Sequence, residues 1–229
     1  MNLIAHRGLH SKNTKENTLS AILLANRNTR LSGLELDVRL TRDNEVVVIH
    51  DEDINRVSNG KGKVCEMSLS RLKQFNYGTW IKRATISTLE EILSKLISSG
   101  LVVIELKDED NKNNILVNKV LEIIEKYPNL IIWLKSFSKE IVSRLQKHSK
   151  YPVGILISKD NKELLDMDVD FYSISRKVID NNIINDLTSR NKNIMIWTVN
   201  TKDDINVLNY EKGIELNNIY IISDNPFKL

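Results

Sequence analysis

Between residues 33 and 51, apolar and polar positions alternate in a pattern that predicts a β-hairpin. The first arm has apolar residues at Leu34, Leu36, Val38 and Leu40 and polar residues at Glu35, Asp37 and Arg39. A period of two is typical of a pleated strand with two unlike faces. Asp43-Asn44 has the composition of a turn, and the β-branched run from Val46 to Ile49 predicts the second arm.

The hairpin is expected to gather polar groups on one face. If Asp43-Asn44 closes it, the numbers of facing residues sum to 87, so Asp37 lies opposite His50. Glu35 lies two residues along the same face of the first arm. Two carboxylates and an imidazole then converge where a purely structural strand would carry apolar side chains. We interpret this convergence as a functional site.

The rest of the chain alternates between strand and helix patterns. Besides the hairpin arms (residues 34–40 and 46–50), short apolar runs predict strands at residues 3–6, 101–106, 131–135, 153–158, 171–175, 194–199 and 219–223. Helical spacing of apolar residues predicts helices at residues 16–28, 68–75, 89–97, 114–126, 139–147, 161–165, 179–190 and 201–213. Ser87-Thr88-Leu89-Glu90 predicts a capping box, in which Ser87 caps the helix at 89–97 and Glu90 reaches back.

The number of elements predicts the fold. Of the nine strands, the second hairpin arm must run antiparallel to the first, because a tight turn joins them. Eight strands remain, and most need right-handed parallel crossovers because helices separate them. Eight β/α units predict an α/β fold, a (β/α)8 barrel forming one domain over residues 1–229, with residues 51–86 as a small insertion at its mouth. A doubly wound open sheet is the alternative, but no Gly-rich first turn supports it.

Polar residues gather at the predicted C-terminal ends of the strands, where a barrel carries its chemistry. They are His6, Arg7, Glu35, Asp37, Glu105, Lys107, Ser136, Trp197 and Asp224. This distribution predicts an active site at that end of the barrel.

Composition narrows the class of protein. The 33 basic and 30 acidic residues give a net charge of +3, which is too balanced to indicate binding to nucleic acid. The single cysteine, Cys65, excludes an intramolecular disulfide and fits a reducing compartment. No run of about 18 apolar residues indicates an integral membrane segment, and the first residues predict a strand rather than a signal peptide. We therefore expect a soluble cytoplasmic protein; the sequence leaves its oligomeric state open.

An ordered set of motifs covers essentially the whole chain. It comprises His6-Arg7-Gly8, Glu16-Asn17-Thr18, Glu35-x-Asp37, His50-Asp51, Glu105-x-Lys107, Trp197-Thr198-Val199-Asn200 and Ser223-Asp224-Asn225-Pro226. The order and spacing together resemble the glycerophosphodiester phosphodiesterase (GDPD) family, whose members have a phospholipase-C-like barrel. The resemblance implies a TIM barrel, a divalent metal ion, and hydrolysis of glycerophosphodiesters to sn-glycerol 3-phosphate and an alcohol.

The residues at these positions suit that chemistry. Glu35, Asp37 and Glu105 offer three hard oxygen ligands, which suit one Mg²⁺ or Ca²⁺ ion better than a thiolate-seeking metal. Arg7 can clamp a phosphate oxygen through its planar guanidinium, and Lys107 adds a compact positive charge. Charge neutralisation on the phosphoryl oxygens is one of the two requirements for splitting a phosphodiester near neutral pH.

The other requirement is proton transfer, which His6 and His50 can perform because imidazole ordinarily titrates near neutral pH. By resemblance, one histidine deprotonates the glycerol 2-hydroxyl, which attacks phosphorus, while the other protonates the departing alcohol. Water then opens the cyclic phosphate. The sequence does not assign the two roles. The resemblance also implies that Trp197 lies against the glycerol moiety, and Asn17 is predicted to orient a site residue.

Structural roles compete with these assignments. A lone Glu105 or Lys107 at a strand end is more often a rim residue in a salt bridge. Histidines can be hydrogen-bonded core residues, Trp197 could fill the barrel, and Glu16-Asn17 could merely begin a helix. The occurrence of two of the four histidines at predicted strand ends beside acidic pairs favours the functional interpretation.

Three functions are compatible with the motifs. The first is hydrolysis of soluble glycerophosphodiesters such as glycerophosphocholine. The second is a lysophospholipase D or another phospholipid-headgroup phosphodiesterase, which an apolar, aromatic mouth near Trp80 would favour. The third is a non-catalytic barrel that binds a phosphorylated metabolite, which the complete motif set disfavours. Departures from the family pattern at Lys15 and Ser87 bear on substrate choice and leave the catalytic set intact.

Overall fold

Nine strands form one sheet in the computed structural model, which describes residues 2–97, 100–107, 112–206 and 216–229. The strands are β1 (Asn2–Ala5), β2 (Gly33–Leu40), β3 (Val46–Val48), β4 (Leu101–Leu106), β5 (Ile131–Ser136), β6 (Val153–Ile157), β7 (Phe171–Ser175), β8 (Asn193–Trp197) and β9 (Ile219–Ser223). Eight of them pair in parallel in the order β1-β9-β8-β7-β6-β5-β4-β2, and β1 also pairs with β2. Because this last pairing closes the sheet, the predicted (β/α)8 TIM barrel is confirmed.

Helices connect most of the parallel strands. They are α1 (Leu19–Asn26), α2 (Leu69–Leu72), α3 (Leu89–Leu93), α4 (Asn113–Ile124), α5 (Lys139–His148), α6 (Asn181–Ser189) and α7 (Lys202–Asn206). The predicted helix at 161–165 is a 3₁₀ helix at Lys162–Asp166. The predicted helix at 201–213 is seen only as α7, since residues 207–213 lie outside the described residues. In the part of the chain described here, no helix combines the length and apolar character needed to cross a membrane.

The hairpin is confirmed, but its predicted register is wrong by one residue. Val38 pairs with Val48, so the numbers of facing residues sum to 86 rather than 87. Asn44 donates its N–H to the Thr41 carbonyl at 3.1 Å and has a φ of +61°, in the left-handed region. The loop is therefore a turn followed by a left-handed residue, one residue longer than the tight turn that the sequence predicted.

This shift moves His50 away from the position opposite Asp37. Ile49 takes that position, and its N–H donates to the Asp37 carbonyl at 3.0 Å. His50 nevertheless stays at the same end of the hairpin, two residues after the end of β3.

Helix α3 has a different cap from the one predicted. Thr88 is the N-cap: its Oγ1 accepts the Glu91 N–H at 3.1 Å, and the Glu91 carboxylate accepts the Thr88 N–H at 3.0 Å. The Ser87 carbonyl accepts the Val48 N–H at 2.9 Å, which keeps Ser87 in the extended segment before the helix. The capping box is present, but the roles predicted for Ser87 and Glu90 belong to Thr88 and Glu91.

Apolar side chains fill the inside of the barrel below its C-terminal end. This inner cluster consists of Ile4, Leu101, Val103, Phe171, Met195 and Ile222, with Trp133, Trp197 and Tyr220 packed against it. Gly154 is required there, because a Cβ at this position would lie 2.3 Å from the Phe171 ring. Each fully buried Phe or Ile contributes about 1.5–3 kcal/mol, so this layer stabilises the barrel and leaves its C-terminal end for polar groups.

The insertion after β3 has a small apolar cluster of its own. Its buried members are Val47, Ile49, Ile54, Val64, Leu72, Tyr77 and Ile86. Because Val47 belongs to β3, this cluster fixes the insertion against the hairpin and hence beside His50.

Candidate active site

Charged side chains replace the apolar filling near the ends of β2, β4 and β5. In the sheet register Asp37 pairs with Glu105 and Glu105 with Lys135, so three charged residues form a row across three strands. Glu35 lies two residues before Asp37, on the same face of β2. All four residues are buried. Buried charges are tolerated only when they are paired, so this row must carry its own compensation.

The three carboxylates converge on one point. One oxygen each from Glu35, Asp37 and Glu105 lies within 4.8 Å of the other two. Among the described residues, none donates a hydrogen bond to the buried Glu35 Oε1 or Asp37 Oδ1, although each has an ammonium group at ion-pair distance. Carboxylate oxygens with lone pairs to spare are the ligands that Mg²⁺ and Ca²⁺ prefer. The residues present therefore fit a hard divalent cation.

Two lysines compensate the acidic cluster. Lys107 Nζ lies 2.9 Å from Asp37 Oδ1 and also contacts Glu105 Oε1. Lys135 Nζ lies 3.1 Å from Glu35 Oε1 and 3.5 Å from Glu105 Oε2. Burial alone would raise the pKa of Asp37, but nearby positive charge, chiefly that of Lys107, holds this pKa well below its usual range. Burial would lower the pKa of Lys107, but the charges of Asp37 and Glu105 raise it.

Two residues of the loop between β1 and α1 contact the acidic cluster through an unusual backbone. Arg7 and Asn17 have φ values of +55° and +54°, in the left-handed region, which costs a residue with a side chain roughly 1–2 kcal/mol. In this conformation the Arg7 N–H donates to Glu35 Oε2 at 3.1 Å, and Arg7 Nε lies 3.3 Å from Asp37 Oδ2. Asn17 Nδ2 donates to Asp37 Oδ2 at 2.9 Å. Backbone strain of this kind is typical of functional sites.

His6 is held by residues that follow β8 and β9. Its Nδ1 lies 2.6 Å from Asp224 Oδ1, and Asn200 Nδ2 donates to Asp224 Oδ2 at 2.8 Å. Burial would raise the pKa of Asp224, but hydrogen bonds from His10 and His6 lower it well below its usual range. The ionised carboxylate can only accept, so His6 carries a hydrogen on Nδ1 and Nε2 is the nitrogen it can offer a substrate.

His50 belongs to a network centred on an arginine. Its Nδ1 lies 2.8 Å from Asp51 Oδ1, while Arg56 Nε donates to Asp51 Oδ2 at 2.6 Å and Arg56 Nη2 donates to Glu16 Oε1 at 2.7 Å. The hydrogen bond from Arg56 is the main cause that lowers the pKa of Asp51 to about 2. Burial would raise the pKa of Glu16, but Arg56 and Arg7 lower it to about 2. Asp51 is thus ionised at neutral pH, and the His50 imidazole also holds its hydrogen on Nδ1.

The nine predicted site residues lie at one end of the barrel. They are His6, Arg7, Asn17, Glu35, Asp37, His50, Glu105, Lys107 and Trp197. His6 precedes Arg7, whose Nε lies 3.3 Å from Asp37 Oδ2, and His50 follows Ile49, whose N–H donates to the Asp37 carbonyl, so both histidines flank the acidic cluster. Trp197 is the last residue of β8, where Nε1 donates to the Ser173 carbonyl at 2.9 Å and Phe137 packs edge-on at 5.7 Å. Trp197 therefore combines barrel filling with a place at the mouth.

Sequence reasoning missed several partners of these residues. Asp51 and Asp224 belong to the quoted motifs, but the sequence alone gave them no role, and Arg56 and Lys135 were not singled out. An acidic residue directly after a site histidine, as in His50-Asp51, is a signal that could have identified the first of them. Lys135 stands in an otherwise apolar strand, and its partners become visible only when the barrel is assembled.

Comparison with solved structures shows which proteins share this fold. A phosphodiesterase from Oleispira antarctica, solved in complex with the product sn-glycerol-3-phosphate, matches with a TM-score of 0.85 and 23% identity over 99% of this chain and 94% of that one. A glycerophosphodiester phosphodiesterase from Agrobacterium tumefaciens matches with a TM-score of 0.77 and 25% identity over 99% and 97%. The chain therefore has the TIM barrel fold that these phosphodiesterases share.

Sequence comparison identifies the family. The model of the glycerophosphoryl diester phosphodiesterase family matches residues 6–227. A glycerophosphodiester phosphodiesterase from Caldanaerobacter subterraneus subsp. tengcongensis is 30% identical over an alignment that covers 98% of this chain and 94% of that protein. The chain belongs to the GDPD family of phosphoric diester hydrolases, as the motifs predicted.

Proposed function

We propose that the chain hydrolyses glycerophosphodiesters to sn-glycerol 3-phosphate and an alcohol, using one divalent ion and two histidines. One observation carries this proposal: three buried carboxylates within 4.8 Å of one another, near two imidazoles that each pair with an aspartate. Family membership and the product bound by the Oleispira relative support the choice of glycerol phosphate as the common half of the substrate.

Glu35, Asp37 and Glu105 would hold the ion, Mg²⁺ or Ca²⁺. A bound divalent cation supplies charge neutralisation on the phosphoryl oxygens. Arg7 and Lys107 already contact these carboxylates and would add a guanidinium fork and an ammonium to the same phosphate.

His6 and His50 would transfer protons through Nε2, because Asp224 and Asp51 occupy Nδ1 of the two rings. In the first step one imidazole takes the proton of the glycerol 2-hydroxyl as that oxygen bonds to phosphorus. The other gives a proton to the alcohol oxygen as its bond to phosphorus breaks. In the second step water bonds to phosphorus as the bond from phosphorus to the glycerol 2-oxygen breaks. The imidazole that lost its proton takes one from the water, and the imidazole that gained a proton gives it to the 2-oxygen, so both return to their starting protonation states.

Trp197 and Asn17 would act in positioning. Trp197, with Phe137 packed against it, would present an aromatic wall to the glycerol carbons. Asn17 holds one oxygen of Asp37 and would thereby orient the proposed ion ligand. The phosphate and the glycerol would thus be recognised by different groups.

We extend the proposal to the molecule as a whole. Residues 1–229 would form one domain that acts on a small molecule rather than nucleic acid, as the balanced charge indicates. A cytoplasmic location is proposed from the single cysteine, Cys65.

The direct test is release of sn-glycerol 3-phosphate from glycerophosphocholine by the purified protein. We expect turnover with Mg²⁺ or Ca²⁺, loss of turnover in excess chelator, and a large loss in Glu35→Ala. His6→Ala and His50→Ala should each lose at least about 10²-fold in kcat, the usual contribution of a general acid or base. His148→Ala is the matched control, since His148 is exposed on α5. Turnover indifferent to chelator, or undiminished in Glu35→Ala, would refute the metal assignment.

An exposed apolar tip in the insertion favours a second candidate substrate, a lysophospholipid. Trp80 is 89% exposed and Ile81 is 88% exposed, in a turn where the Thr79 N–H donates to the Lys82 carbonyl at 2.9 Å. An aromatic and an aliphatic side chain beside a basic residue are typical of surfaces that contact lipid. Trp80 also lines a cavity of about 510 Å³ that extends to Arg56. Arg56 donates to the carboxylate of Asp51, which pairs with His50.

Lysophosphatidylcholine and glycerophosphocholine separate the two candidates because they share the phosphocholine group and differ in the acyl chain. If the lipid is a substrate, Trp80→Ala/Ile81→Ala should lower kcat/KM for it at least about tenfold and change the value for glycerophosphocholine little. A wild-type protein that releases no choline from the lysophospholipid would exclude this candidate.

A further inference from the structure

Lys135 brings a positive charge into the acidic cluster that the proposed reaction does not use. It is the fifth residue of β5, only 2% exposed, and it lies beside Glu105 in the sheet register. Its Nζ lies 3.1 Å from Glu35 Oε1 and 3.5 Å from Glu105 Oε2. A buried ammonium is tolerated only with good partners, so this contact differs from a surface salt bridge of small energetic value.

Each of the six oxygens in the acidic cluster has a positively charged or N–H neighbour. The neighbours are Lys135 and the Arg7 N–H for Glu35, Lys107 and Asn17 for Asp37, and Lys107 and Lys135 for Glu105. The three negative charges are matched by three positive ones from the side chains of Arg7, Lys107 and Lys135. The negative charge of the proposed ion ligands is therefore already balanced by the protein before a divalent ion binds.

We propose that Lys135 competes with the divalent ion for Glu35 and Glu105 and so sets a low affinity for that ion. This inference rests on the metal site of the proposed function. Lys135 is better suited to this role than Lys107, because its side chain is only 2% exposed while that of Lys107 is 10% exposed. With little exposure to solvent, the Lys135 ammonium has to remain close to the carboxylates when an ion binds.

The proposal has two consequences for the protein. Lys135 joins Glu35 to Glu105, so the two carboxylates stay together when no ion is bound. A positive charge next to the ligand oxygens repels a dication, and even a partly screened interaction at this distance changes affinity by on the order of tenfold or more. Half-saturation of the site would then need a higher free concentration of the ion than a site made of the three carboxylates alone.

Calorimetric titration of the purified full chain with Mg²⁺ and with Ca²⁺ tests this proposal directly. The variants are Lys135→Gln and Lys135→Met, which remove the charge, and Lys135→Arg, which keeps it. Lys139→Gln is the control, because Lys139 is an exposed residue at the start of α5 and its loss lowers the net charge equally. The melting temperature in chelator is recorded for every variant.

We expect the dissociation constant to fall at least about tenfold in Lys135→Gln and Lys135→Met and to stay near wild type in Lys135→Arg and Lys139→Gln. The melting temperature in chelator should fall in the neutral variants and rise more steeply with added ion than in wild type. A purely structural salt bridge would lower the melting temperature and leave the dissociation constant unchanged, which would overturn the proposal.

The outcomes separate this inference from the function on which it rests. If the wild type binds an ion and the neutral variants bind it equally or more weakly, only the role of Lys135 fails. If neither binds, the metal site itself is refuted. Should the neutral variants not fold, ¹⁵N-lysine spectra of the wild type give the second measurement. The Lys135 Nζ signal, assigned with Lys135→Arg, should move on titration with Mg²⁺, and an unchanged signal with a bound ion would overturn the proposal.

Discussion

Asp224→Asn should lower kcat/KM about 10²-fold, although it replaces only one carboxylate oxygen by an NH₂ group. Asp224 Oδ1 pairs with His6 Nδ1 at 2.6 Å, and Oδ2 accepts from Asn200 Nδ2 at 2.8 Å. The Asn200 amide is fixed in orientation, because its Oδ1 accepts the Asp224 N–H at 2.9 Å and the Ser223 hydroxyl at 3.2 Å. The new NH₂ group would therefore face a donor on either side.

The size of the effect follows from the two orientations open to the new amide. If its NH₂ faces Asn200, two donors oppose each other in a half-buried pair, and such an unsatisfied group costs up to about 3 kcal/mol. If it faces His6, the ring avoids that cost by moving its hydrogen to Nε2, the nitrogen needed for proton transfer. The second orientation should dominate, and kcat/KM should fall about 10²-fold, or about 2.7 kcal/mol of transition-state stabilisation.

The assay is kcat/KM for glycerophosphocholine at neutral pH, with Asn200→Asp/Asp224→Asn as the diagnostic double variant. The carboxylate introduced at position 200 can accept a hydrogen bond from the new NH₂ group. The amide oxygen at position 224 then faces His6 again, and the His6 hydrogen returns to Nδ1. We expect the double variant to recover at least about tenfold over the single one. A single variant within about twofold of wild type, or a double variant no better than the single, would show that Asp224 does not set the position of the His6 hydrogen.

The remaining predictions concern stability. Glu16 and Asp51 have folded-state pKa values of about 2, below their ordinary values of 4.5 and 3.8, so their contribution is present above these ordinary values and is lost as the pH falls towards 2. Arg56→Gln should lower the free energy of unfolding at pH 7 by up to about 1 kcal/mol, as measured by denaturant titration. The fall of this free energy between pH 5 and about pH 2 should be smaller in the variant than in wild type. An equal fall in both proteins would contradict the role of the arginine. Thr88→Ala should lower the free energy of unfolding by about 1 kcal/mol, and Ser87→Ala should lower it clearly less. The reverse order would indicate that Ser87 is the cap, as the sequence predicted.

Patterns of local origin were predicted well from the sequence. The alternation of strands and helices led to the barrel, because each parallel strand needs a crossover and eight units close a sheet. The errors lie where one residue decides the geometry. Asn44 adopts a left-handed conformation that lengthens the hairpin loop, and a sheet hydrogen bond to the Ser87 carbonyl leaves Thr88 rather than Ser87 as the cap of α3.

The candidate site was predicted as a set of residues but not as a network. Glu35 and Asp37 stand out because acidic side chains occupy a strand face that is buried in a barrel. Lys135 did not stand out, since a single lysine in an apolar strand is ordinarily placed with its charge in solvent. Its pairing with Glu35 depends on strands that lie about a hundred residues apart in the chain, which no local pattern encodes.

An anomalous difference map from crystals grown with Mn²⁺ would reveal whether Glu35, Asp37 and Glu105 share one divalent ion. We expect one strong peak at the end of the barrel, within bonding distance of an oxygen from each of the three carboxylates. A map with no peak there, or with manganese bound only at other residues, would contradict this expectation.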